Sequence, residues 1–579
     1  MVLVSKRGRF LVGELLFERG GRVELGGGRR AATPGRMALV EVGQGRGRAR
    51  VVRELGDPDL AADVIEAMLA DRDVRIGFGR RIEGEAAEAA AAARDLNFDR
   101  RDVRDLPTFT VDPASAHDFD DAVSASRTER GYRLWIHIAD VAAHVRPGSA
   151  LEREAYLRAN STYVPGRVAP MLPQVLSSDV CSLVPDQDRL AVTSEIEISE
   201  TGEALSASFY RSLMRSDARL NYDQLDEIFA GRARPAEAIA GPLALAREAA
   251  AALAGRRPRS SLDVESFEPE FRFEDGQVIA AHSVQQTEAH RLIEHLMVLT
   301  NERVAELLER RRVPTLYRVH EQPDPERIRW LIEQLAALEI PTPPLPDSLS
   351  PQQAGELVGM ASRLVTREAE RRRHGREAYT SIVLRSLKQA HYADRNLGHA
   401  GLGSPAYSHF TSPIRRYPDL IAHRGLLSAI GVGEEAPRAE GLAEVGVHCS
   451  ERERDATRLE RDADSVCACF LLQRELFERG PDTRFEGEVS GVVGAGAFVR
   501  FSGALADVYE GFLPARRIGG RERYELDATE TMLVGARGGA AIRIGDPVRV
   551  AVDRVEAPRG RVDLLPSDSA RAPRKGRPA

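Results

Sequence analysis

Four aspartates, Asp112, Asp118, Asp120 and Asp121, fall within ten residues between two segments that alternate like β-strands. This crowding constrains the fold, because like charges this close cannot all stay ionised in a partly buried site unless a cation neutralises them or some take up protons. A hard divalent metal is the natural solution, since Mg²⁺ prefers oxygen ligands and keeps positions open for phosphate oxygens. Paired ions stabilise both the attacking and the leaving oxygen of an in-line displacement, as phosphodiester hydrolysis requires.

Two other interpretations of this segment stay open at the level of spacing. One is an acidic turn on the surface, although Phe119 within the segment would prefer burial. The other is a calcium-binding EF-hand loop, but the glycine at its sixth position and the glutamate at its twelfth are missing, and strands flank the segment. Spacing alone therefore does not establish a catalytic site.

A second segment, HFTSPIRRYPDLIAHR, carries the matching basic residues. Thr411 or Ser412 is placed to cap a helix whose first turn begins near Pro413, which would bring Arg415 and Arg416 close to an N-terminal helix dipole. Guanidinium groups there would hold a phosphate and stabilise charge that develops in a transition state. A basic helix start with a purely structural role is the alternative.

With 579 residues, the chain is longer than a single hydrophobic core usually supports, so several domains are expected. The patterns predict an α+β multidomain protein. We expect an N-terminal β-barrel over 1–58, a helical connector over 59–104, a large mixed α/β domain over 105–480, a second barrel over 481–566 and a basic, disordered tail over 567–579.

Individual elements support this division. TFTVD, DDAVSAS and YRLWIHIADV predict a meander of strands that opens the central domain. Apolar residues at helical spacing predict helices over 288–312, in much of 351–390, and over 441–479, where Gly480 and Pro481 end the last one.

The net charge of −7 argues against a nucleic-acid partner, because phosphate binding requires lysine and arginine. The distribution of the charges matters more than their sum, and the two ends of the chain are expected to form basic arms. Solubilising charge without a partner is the alternative. The basic residues are Lys6, Arg7, Arg9, Arg29, Arg30, Arg46, Arg48, Arg50 and Arg53 near the start, and Arg571, Arg574, Lys575 and Arg577 near the end.

The first twenty residues have charges inside their apolar run, which predicts neither a secretory signal nor a membrane anchor, so no membrane partner is expected. Four cysteines in so long a chain do not make a disulfide framework, and a reducing cytoplasm fits them best. Cys449, Cys467 and Cys469 lack the paired spacing of zinc sites, which favours buried thiols without a metal.

The sequence resembles the ribonuclease II / ribonuclease R family, whose members share an RNB catalytic domain. The resemblance runs in order through TVDPASAHDFDDA, LWIHIADVAAHVRPGSALEREAYLRANSTYVPGR, TLYRVHE and NLGHAGLGSPAYSHFTSPIRRYPDLIAHR. It implies an RNB domain between an N-terminal cold-shock-like OB barrel and a C-terminal S1-type OB barrel. Family members often carry two N-terminal barrels, and this chain has room for one.

The family resemblance implies a 3′-to-5′ exoribonuclease that hydrolyses single-stranded RNA processively to nucleoside 5′-monophosphates. It implies Mg²⁺, or Mn²⁺ in its place, as the cofactor, single-stranded RNA as the partner, a cytoplasmic location and a monomer. Asp112, Asp118 and Asp121 resemble the metal-holding carboxylates. Asp120 matches the aspartate tied to cleavage, and Arg415 the arginine on the scissile phosphate.

Further residues are similar to RNA-contacting positions of the family. Tyr163 in NSTYVPGR resembles the aromatic residue that stacks on the 3′-terminal nucleotide, and a core tyrosine is the alternative. Tyr317 in LYRVHE resembles a residue that recognises ribose. Arg416 and Glu460 are candidate RNA contacts. Phe485, Phe498 and Phe512 lie where the terminal barrel carries stacking or core aromatics.

Two rival functions need to be weighed. An inactive RNA-binding protein on this fold would be expected to lose part of the acidic cluster or the arginine, and all of them are present. A deoxyribonuclease is disfavoured only by the resemblance, because a metal site does not by itself select the sugar; that takes contacts to the 2′-hydroxyl group.

Overall fold

A computed structural model describes residues 1–8, 10–18, 21–26, 32–42, 48–93, 99–257, 268–518, 522–537 and 539–567. Arg9, Arg29, Arg30, Arg46 and the tail from residue 568, with its four predicted basic residues, lie outside the described residues.

The N-terminal part is a five-stranded antiparallel sheet in the order β3-β2-β1-β4-β5. A parallel bridge between Leu25 and Ala49 brings the two outer strands side by side, which is how a five-stranded OB-type barrel closes. Val2, Val4, Leu11 and the other alternate residues form its core. The strands are β1 Val2–Arg7, β2 Phe10–Leu15, β3 Arg22–Glu24, β4 Met37–Glu41 and β5 Arg50–Leu55.

Basic side chains of this barrel are partly neutralised. Arg48 pairs with Glu24 at 2.8 Å, and Arg50 pairs with Glu41 at 2.6 Å. The guanidinium group of Arg48 also lies 5.6 Å from the ring centroid of Phe10, which is 41% exposed. The predicted basic arm is therefore a mixed surface with an exposed aromatic ring.

Two helices follow, α1 Ala61–Asp71 and α2 Arg80–Ala93. The apolar residues of α1 recur every three or four positions, and its buried face packs against the long helix near the C-terminal end of the central domain.

The central domain is built on a seven-stranded mixed sheet in the order β14-β7-β8-β9-β12-β13-β6. The predicted meander is confirmed as β7, β8 and β9, and two hairpins, β10-β11 and β15-β16, lie outside the sheet. The strands are β6 Arg101–Asp102, β7 Phe109–Asp112, β8 Asp121–Thr128, β9 Gly131–Ala139, β10 Thr162–Val164, β11 Arg167–Ala169, β12 Asp188–Ser199, β13 Ala204–Arg215, β14 Ala218–Asn221, β15 Glu268–Glu274 and β16 Gln277–Val284.

Helices cover this sheet and continue beyond it. The first group is α3 Ala150–Arg158, α4 Tyr222–Phe229, α5 Glu237–Arg256 and α6 Glu288–Arg311. The second group, which surrounds the short strands β17 Tyr317–Val319 and β18 His391–Ala393, is α7 Pro325–Ala337, α8 Pro351–Arg372, α9 Arg376–Ser386, α10 Tyr417–Ile430 and α11 Leu442–Arg479. The three predicted helical regions are confirmed.

Helix ends follow local sequence signals. Ser350 and Gln353 form a capping box at the start of α8, where Pro351 is already set for a first helical turn. Gly375, with φ +81°, separates α8 from α9, a backbone conformation that L side chains rarely adopt. Gly480 ends α11, as predicted.

The C-terminal part is a closed five-stranded barrel in the order β19-β20-β21-β26-β25, with a three-stranded sheet, β22-β23-β24, inserted in it. Phe485 is buried in its core, whereas Phe498 is 39% exposed and packs on Phe512 with the ring centroids 5.2 Å apart. The elements are β19 Arg484–Val493, β20 Gly496–Phe501, β21 Tyr509–Pro514, α12 Ala515–Ile518, β22 Tyr524–Leu526, β23 Met532–Gly535, β24 Ala541–Arg543, β25 Pro547–Glu556 and β26 Arg561–Pro566.

Among the described residues, α5 is the one helix that is long and apolar enough, by length and composition, to cross a membrane. Its buried residues, which include Leu243 and Ala246, pack against β8 and α6. Arg247 within it pairs with Glu288. A core helix passes the same length test, so this feature is weak support for a membrane span.

The sheet depends on a buried ion-pair cluster. The Asp140 side chain is fully buried, and its Oδ2 lies 2.7 Å from Arg100 Nη2 and 2.9 Å from Arg211 Nε. Burial by itself would raise the pKa of the Asp140 carboxyl, but the two guanidinium groups hold it below its usual value.

Replacement of Asp140 by alanine is expected to destabilise the protein by about 3–5 kcal/mol, because Arg100 and Arg211 lose the buried carboxylate that they share and Arg211 keeps only its pair with Glu434. The measurement is the thermal unfolding midpoint, which should fall by several degrees. The control is Asp455→Ala, which removes an exposed partner of Arg452 and should change little. Equal midpoints for the two variants would contradict the importance of the buried cluster.

Candidate active site

The acidic loop between β7 and β8 is anchored by backbone contacts. The Phe119 N–H donates to Ser182 Oγ at 2.9 Å, and the Ser182 hydroxyl donates to the His117 carbonyl at 3.0 Å. The Leu183 N–H donates to the Phe119 carbonyl at 3.0 Å. Phe119 is 5% exposed. The loop is therefore built into the domain, which rules out the free acidic surface turn.

One arginine holds the first half of this loop. Nη2 of Arg219 donates to the carbonyl oxygens of Pro113, Ala114 and Ala116 at 3.1, 2.9 and 3.2 Å. The same guanidinium group lies 4.8 Å from the ring centroid of Phe119. Arg219 belongs to β14, which pairs in parallel with β7, so the sheet itself sets the shape of the loop.

Asp120 connects the acidic loop to the basic segment. It is 3% exposed, and its Oδ1 accepts a hydrogen bond from the Ile414 N–H at 2.8 Å. Its Oδ2 lies 3.6 Å from Arg415 Nε and has no hydrogen-bond partner within the described chain. Burial raises the pKa of this carboxyl well above its usual value, and the charge of Arg415 only partly opposes that effect.

The pKa values of two neighbouring carboxyl groups, those of Asp112 and Asp121, are also raised. Burial, followed by the charges of Asp121 and Asp120, raises the pKa of Asp112 to about 8, and burial raises that of Asp121 to about 6. Oδ2 of Asp112 is buried and without a partner in the described part of the chain. Asp118 accepts a hydrogen bond from the Tyr163 hydroxyl at 3.0 Å.

These donors fit a hard divalent cation. Two buried, unpartnered carboxylate oxygens and an excess of negative charge are what such an ion would satisfy. No three His, Cys, Asp or Glu side chains of the described residues converge closely enough to be recognised as a metal site on their own. Mg²⁺ is commonly bound through one or two carboxylates, with waters and substrate phosphates as its other ligands.

The predicted helix start in the basic segment is wrong. Helix α10 begins at Tyr417 with Arg416 as its N-cap, and neither Thr411 nor Ser412 caps it, although we expected the first turn near Pro413. Residues 413–415 form a turn instead.

Tertiary contacts explain this difference. The Ser412 N–H donates to Asp419 Oδ1 at 2.8 Å, and the Ile414 N–H donates to Asp120, so amides that would open a helix have partners elsewhere. Arg416 pairs with Asp419 at 2.7 Å, whereas Arg415 is left facing Asp120. The two arginines therefore have different surroundings.

A cavity of about 1210 Å³ brings most of the predicted site residues together. Its wall includes residues of α6 and α11 and of the C-terminal barrel, among them Arg500, Tyr509 and Gly560. Asp120 lies behind this wall. The predicted residues that line the cavity are Asp112, Asp118, Asp121, Tyr163, Arg415, Arg416 and Glu460.

Tyr163 is an exposed wall residue and not a core tyrosine. Its side chain is 39% exposed, and its N–H donates to Glu460 Oε1 at 2.8 Å. Tyr317, by contrast, is not brought into this cavity. It is 6% exposed, packs with Val319 and Ala406, and lines a separate cavity of about 400 Å³.

The cavity also contains residues to which the sequence reasoning gave no role. Tyr222 lines it beside the aspartates and stacks on His290 with the ring centroids 3.8 Å apart. Asn301 donates to the Tyr407 hydroxyl at 3.0 Å, and both residues line the cavity. Tyr222 follows a short strand and Asn301 lies within a long helix, so neither has a local sequence signal.

The fold and the site together define a class of protein. An OB-type barrel, a fold that binds oligonucleotides in many proteins, lies at each end of a central α+β domain whose sheet carries an acidic cluster facing an arginine. Two family models match the chain, the RNB domain over residues 100–431 and the S1 RNA binding domain over residues 479–565. The chain belongs to the ribonuclease II / ribonuclease R family, which the RNB domain defines.

Individual relatives agree with this assignment. Ribonuclease R of Escherichia coli is 33% identical over 546 residues, which cover 91% of this chain, and the chain spans 64% of the length of that relative. Ribonuclease R of Aquifex aeolicus is 34% identical, with 89% of this chain and 72% of the relative covered. The apo structure of Mycoplasma genitalium RNase R has a similar fold, with a TM-score of 0.84, 24% identity, and coverage of 98% of this chain and 88% of that one.

Divalent metal is expected to stabilise the wild-type protein, because an ion that binds only the folded site relieves its negative charge. At a hundredfold excess over the dissociation constant the gain is about 2.7 kcal/mol. The measurement is the thermal midpoint with Mg²⁺ and with EDTA. In Asp121→Asn, the midpoint in EDTA should rise, since one buried charge is gone, and the shift caused by Mg²⁺ should shrink.

Asp105→Asn is the matched control, because Asp105 is an exposed aspartate outside the cluster. It should retain the full Mg²⁺ shift. A shift of the same size in wild type and Asp121→Asn would exclude the cluster as the metal site.

Proposed function

We propose that this chain is a 3′-to-5′ exoribonuclease that hydrolyses single-stranded RNA. The observation that carries the proposal is the contact of the buried Asp120 carboxylate with Arg415, at the wall of a cavity that extends to the C-terminal barrel. The resemblance to ribonuclease R over most of the chain supports the direction and the substrate.

Asp112, Asp118 and Asp121 would hold the divalent ion, with Asp120 behind them. When bound, Mg²⁺, or Mn²⁺ in its place, supplies Lewis acidity and lowers the pKa of a coordinated water. The buried, unpartnered Oδ2 of Asp112 supports this role.

Arg415 is placed to stabilise the scissile phosphate. Its side chain is 45% exposed, and its Nε lies 3.6 Å from Asp120 Oδ2, so donors remain free to meet an incoming phosphoryl oxygen. Asp120 orients the guanidinium group, and its bond to the Ile414 N–H fixes the turn that presents Arg415. The fixed geometry lets the site stabilise transition-state charge without reorganising.

Tyr163 would stack on the 3′-terminal base, because every base offers a π-face and stacking does not select sequence. Two contacts fix it, the hydroxyl on Asp118 and the N–H on Glu460, so a stacked nucleotide would lie beside the aspartates. Arg416 and Glu460 complete the wall. Tyr317 packs in a separate cluster, so its predicted contact with ribose has no support from this geometry.

A wall formed by both the central domain and the C-terminal barrel would favour processive threading of one strand and release of nucleoside 5′-monophosphates. We further propose that the enzyme acts as a monomer in the cytoplasm, where its four buried, free cysteines would stay reduced. An inactive RNA-binding protein is the rival, and the intact set of four aspartates and Arg415 argues against it.

The decisive assay uses a 5′-labelled RNA with a 3′ overhang. Wild type should shorten it progressively from the 3′ end and release nucleoside monophosphates, and EDTA should stop the reaction. Asp120→Asn should bind RNA with little change and lose turnover on the order of 10²–10³-fold or more, as when other groups that support transition-state charge are removed. Asp105→Asn is the control.

Activity that is indifferent to EDTA, or undiminished in Asp120→Asn, would refute the assignment. RNA binding without cleavage by the wild-type protein, across several divalent metals, would favour the inactive RNA-binding protein. Equal cleavage of a matched DNA strand would favour the deoxyribonuclease.

Tyr163→Ala should weaken RNA binding by about 1–3 kcal/mol, the usual cost of losing one base stack. The measurement is the KM and kcat for a short single-stranded RNA, with the larger change in KM. Tyr163→Phe keeps the ring and loses only the hydrogen bond to Asp118, so its KM should stay within a few-fold of wild type. If the alanine and phenylalanine variants behave alike, stacking is not the role of this ring.

A further inference from the structure

A second cavity of about 410 Å³ lies on α6 at the C-terminal end of α5. We call it the arginine pocket. Its charged and titratable residues are Glu203, Arg256, Arg257, His295, Glu302 and Arg303. None of them belongs to the acidic cluster or to the basic segment around Arg415.

The arginine pocket adjoins the active-site cavity. Val298 of α6 lines both cavities. Arg257 lines the arginine pocket, Glu294 lines the active-site cavity, and the two side chains form an ion pair with Nη1 and Oε1 3.2 Å apart. The two cavities are therefore neighbours, with Val298 in both walls and this ion pair between a residue of each.

The pocket holds donors that lack acceptors. Arg257 Nη2 and Arg303 Nε are buried and have no hydrogen-bond partner in the part of the chain that the structure describes, and the same holds for His295 Nδ1. The two arginine side chains are only 23% and 25% exposed. Buried donors without partners are costly, and a phosphate group offers several acceptors to a guanidinium group.

Each arginine of the pocket has a glutamate neighbour. Glu203 lies 3.9 Å from Arg256, Glu294 lies 3.2 Å from Arg257 and Glu306 lies 2.6 Å from Arg303, so the charges of these pairs are balanced when the pocket is empty. Glu302 lies 3.9 Å from Arg303, and burial raises the pKa of its carboxyl group. Burial and then the charge of Arg257 lower the pKa of His295 to about 4, so this ring stays neutral.

We propose that the arginine pocket binds the phosphate of a nucleoside 5′-monophosphate and is the first site that the product occupies after it leaves the active-site cavity. This inference rests on the proposed function, because the product arises only if the active-site cavity hydrolyses RNA. A released monophosphate carries about two negative charges and can take bidentate bonds from Arg257 and Arg303. An unbroken RNA strand lacks that terminal phosphomonoester, so the pocket would distinguish product from substrate.

The first test is calorimetric titration of the full-length protein with AMP, adenosine and inorganic phosphate, in EDTA so that no metal holds phosphate at the aspartates. AMP should bind wild type, and adenosine should bind at least tenfold more weakly. The double variant Arg257→Ala/Arg303→Ala should lose at least tenfold in AMP affinity. Arg310→Ala, an exposed arginine of the same helix, is the matched control and should match wild type.

Unchanged AMP affinity in the double variant, or adenosine binding as tight as AMP, would overturn the proposal. Inorganic phosphate that binds as tightly as AMP would make free phosphate the ligand and would also overturn it. If the double variant does not fold, Arg303→Lys replaces it. That variant keeps the charge but loses the planar fork, so its AMP affinity should fall about three- to tenfold.

The second test compares steady-state with single-turnover hydrolysis of RNA. The ratio of the two rates should fall at least threefold in the double variant, because product release slows, and should not fall in Arg310→Ala. An unchanged ratio in the double variant would exclude a role in release. If no protein hydrolyses RNA, the proposed function fails, whereas the AMP titration still decides whether the pocket binds a nucleotide.

Discussion

The site depends on the buried carboxylate of Asp120, which joins two segments 294 residues apart in the chain. Its Oδ1 accepts a hydrogen bond from the Ile414 N–H, and its Oδ2 faces Arg415. These contacts fix the position of the acidic loop relative to the basic turn. Burial makes this carboxylate costly to ionise, and the charge of the adjacent Arg415 offsets part of that cost.

Helix α11 packs against elements of the connector, the central domain and the C-terminal barrel. It packs on α1 of the connector, on the hairpin strand β10 that carries Tyr163, and on strands β21, β25 and β26 of the C-terminal barrel. Glu460 on this helix holds the Tyr163 N–H, and other residues of the helix line the active-site cavity. Helix α6 forms another part of the wall, and neighbouring residues of the same helix line the arginine pocket. Two long helices thus connect the barrel, the acidic cluster and the second cavity.

The differences between prediction and structure arise from contacts between segments that are distant in the chain. Local capping rules predicted a helix start near Pro413. The Ser412 and Ile414 N–H groups instead donate hydrogen bonds to Asp419 and Asp120. Helix α10 therefore starts at Tyr417. Tyr317 packs in a cluster separate from the active-site cavity, and its contact with RNA stays a prediction. Tyr222 had no local signal, because its place beside the aspartates follows from the pairing of β14 with β7.

The sequence by itself determined the order of barrels, sheet and helices, the bounds of α6 and α11 within a residue or two, and the acidic cluster, because periodicity, caps and charge crowding are local properties. It also determined the family, through motifs spread over the chain. Only the tertiary structure decided which carboxylate meets Arg415, which aromatic rings face the cavity, and that Arg257 pairs with Glu294 between the linings of two cavities. Those facts depend on side chains brought together from distant segments, whose meeting is set by packing and burial and not by neighbours along the chain.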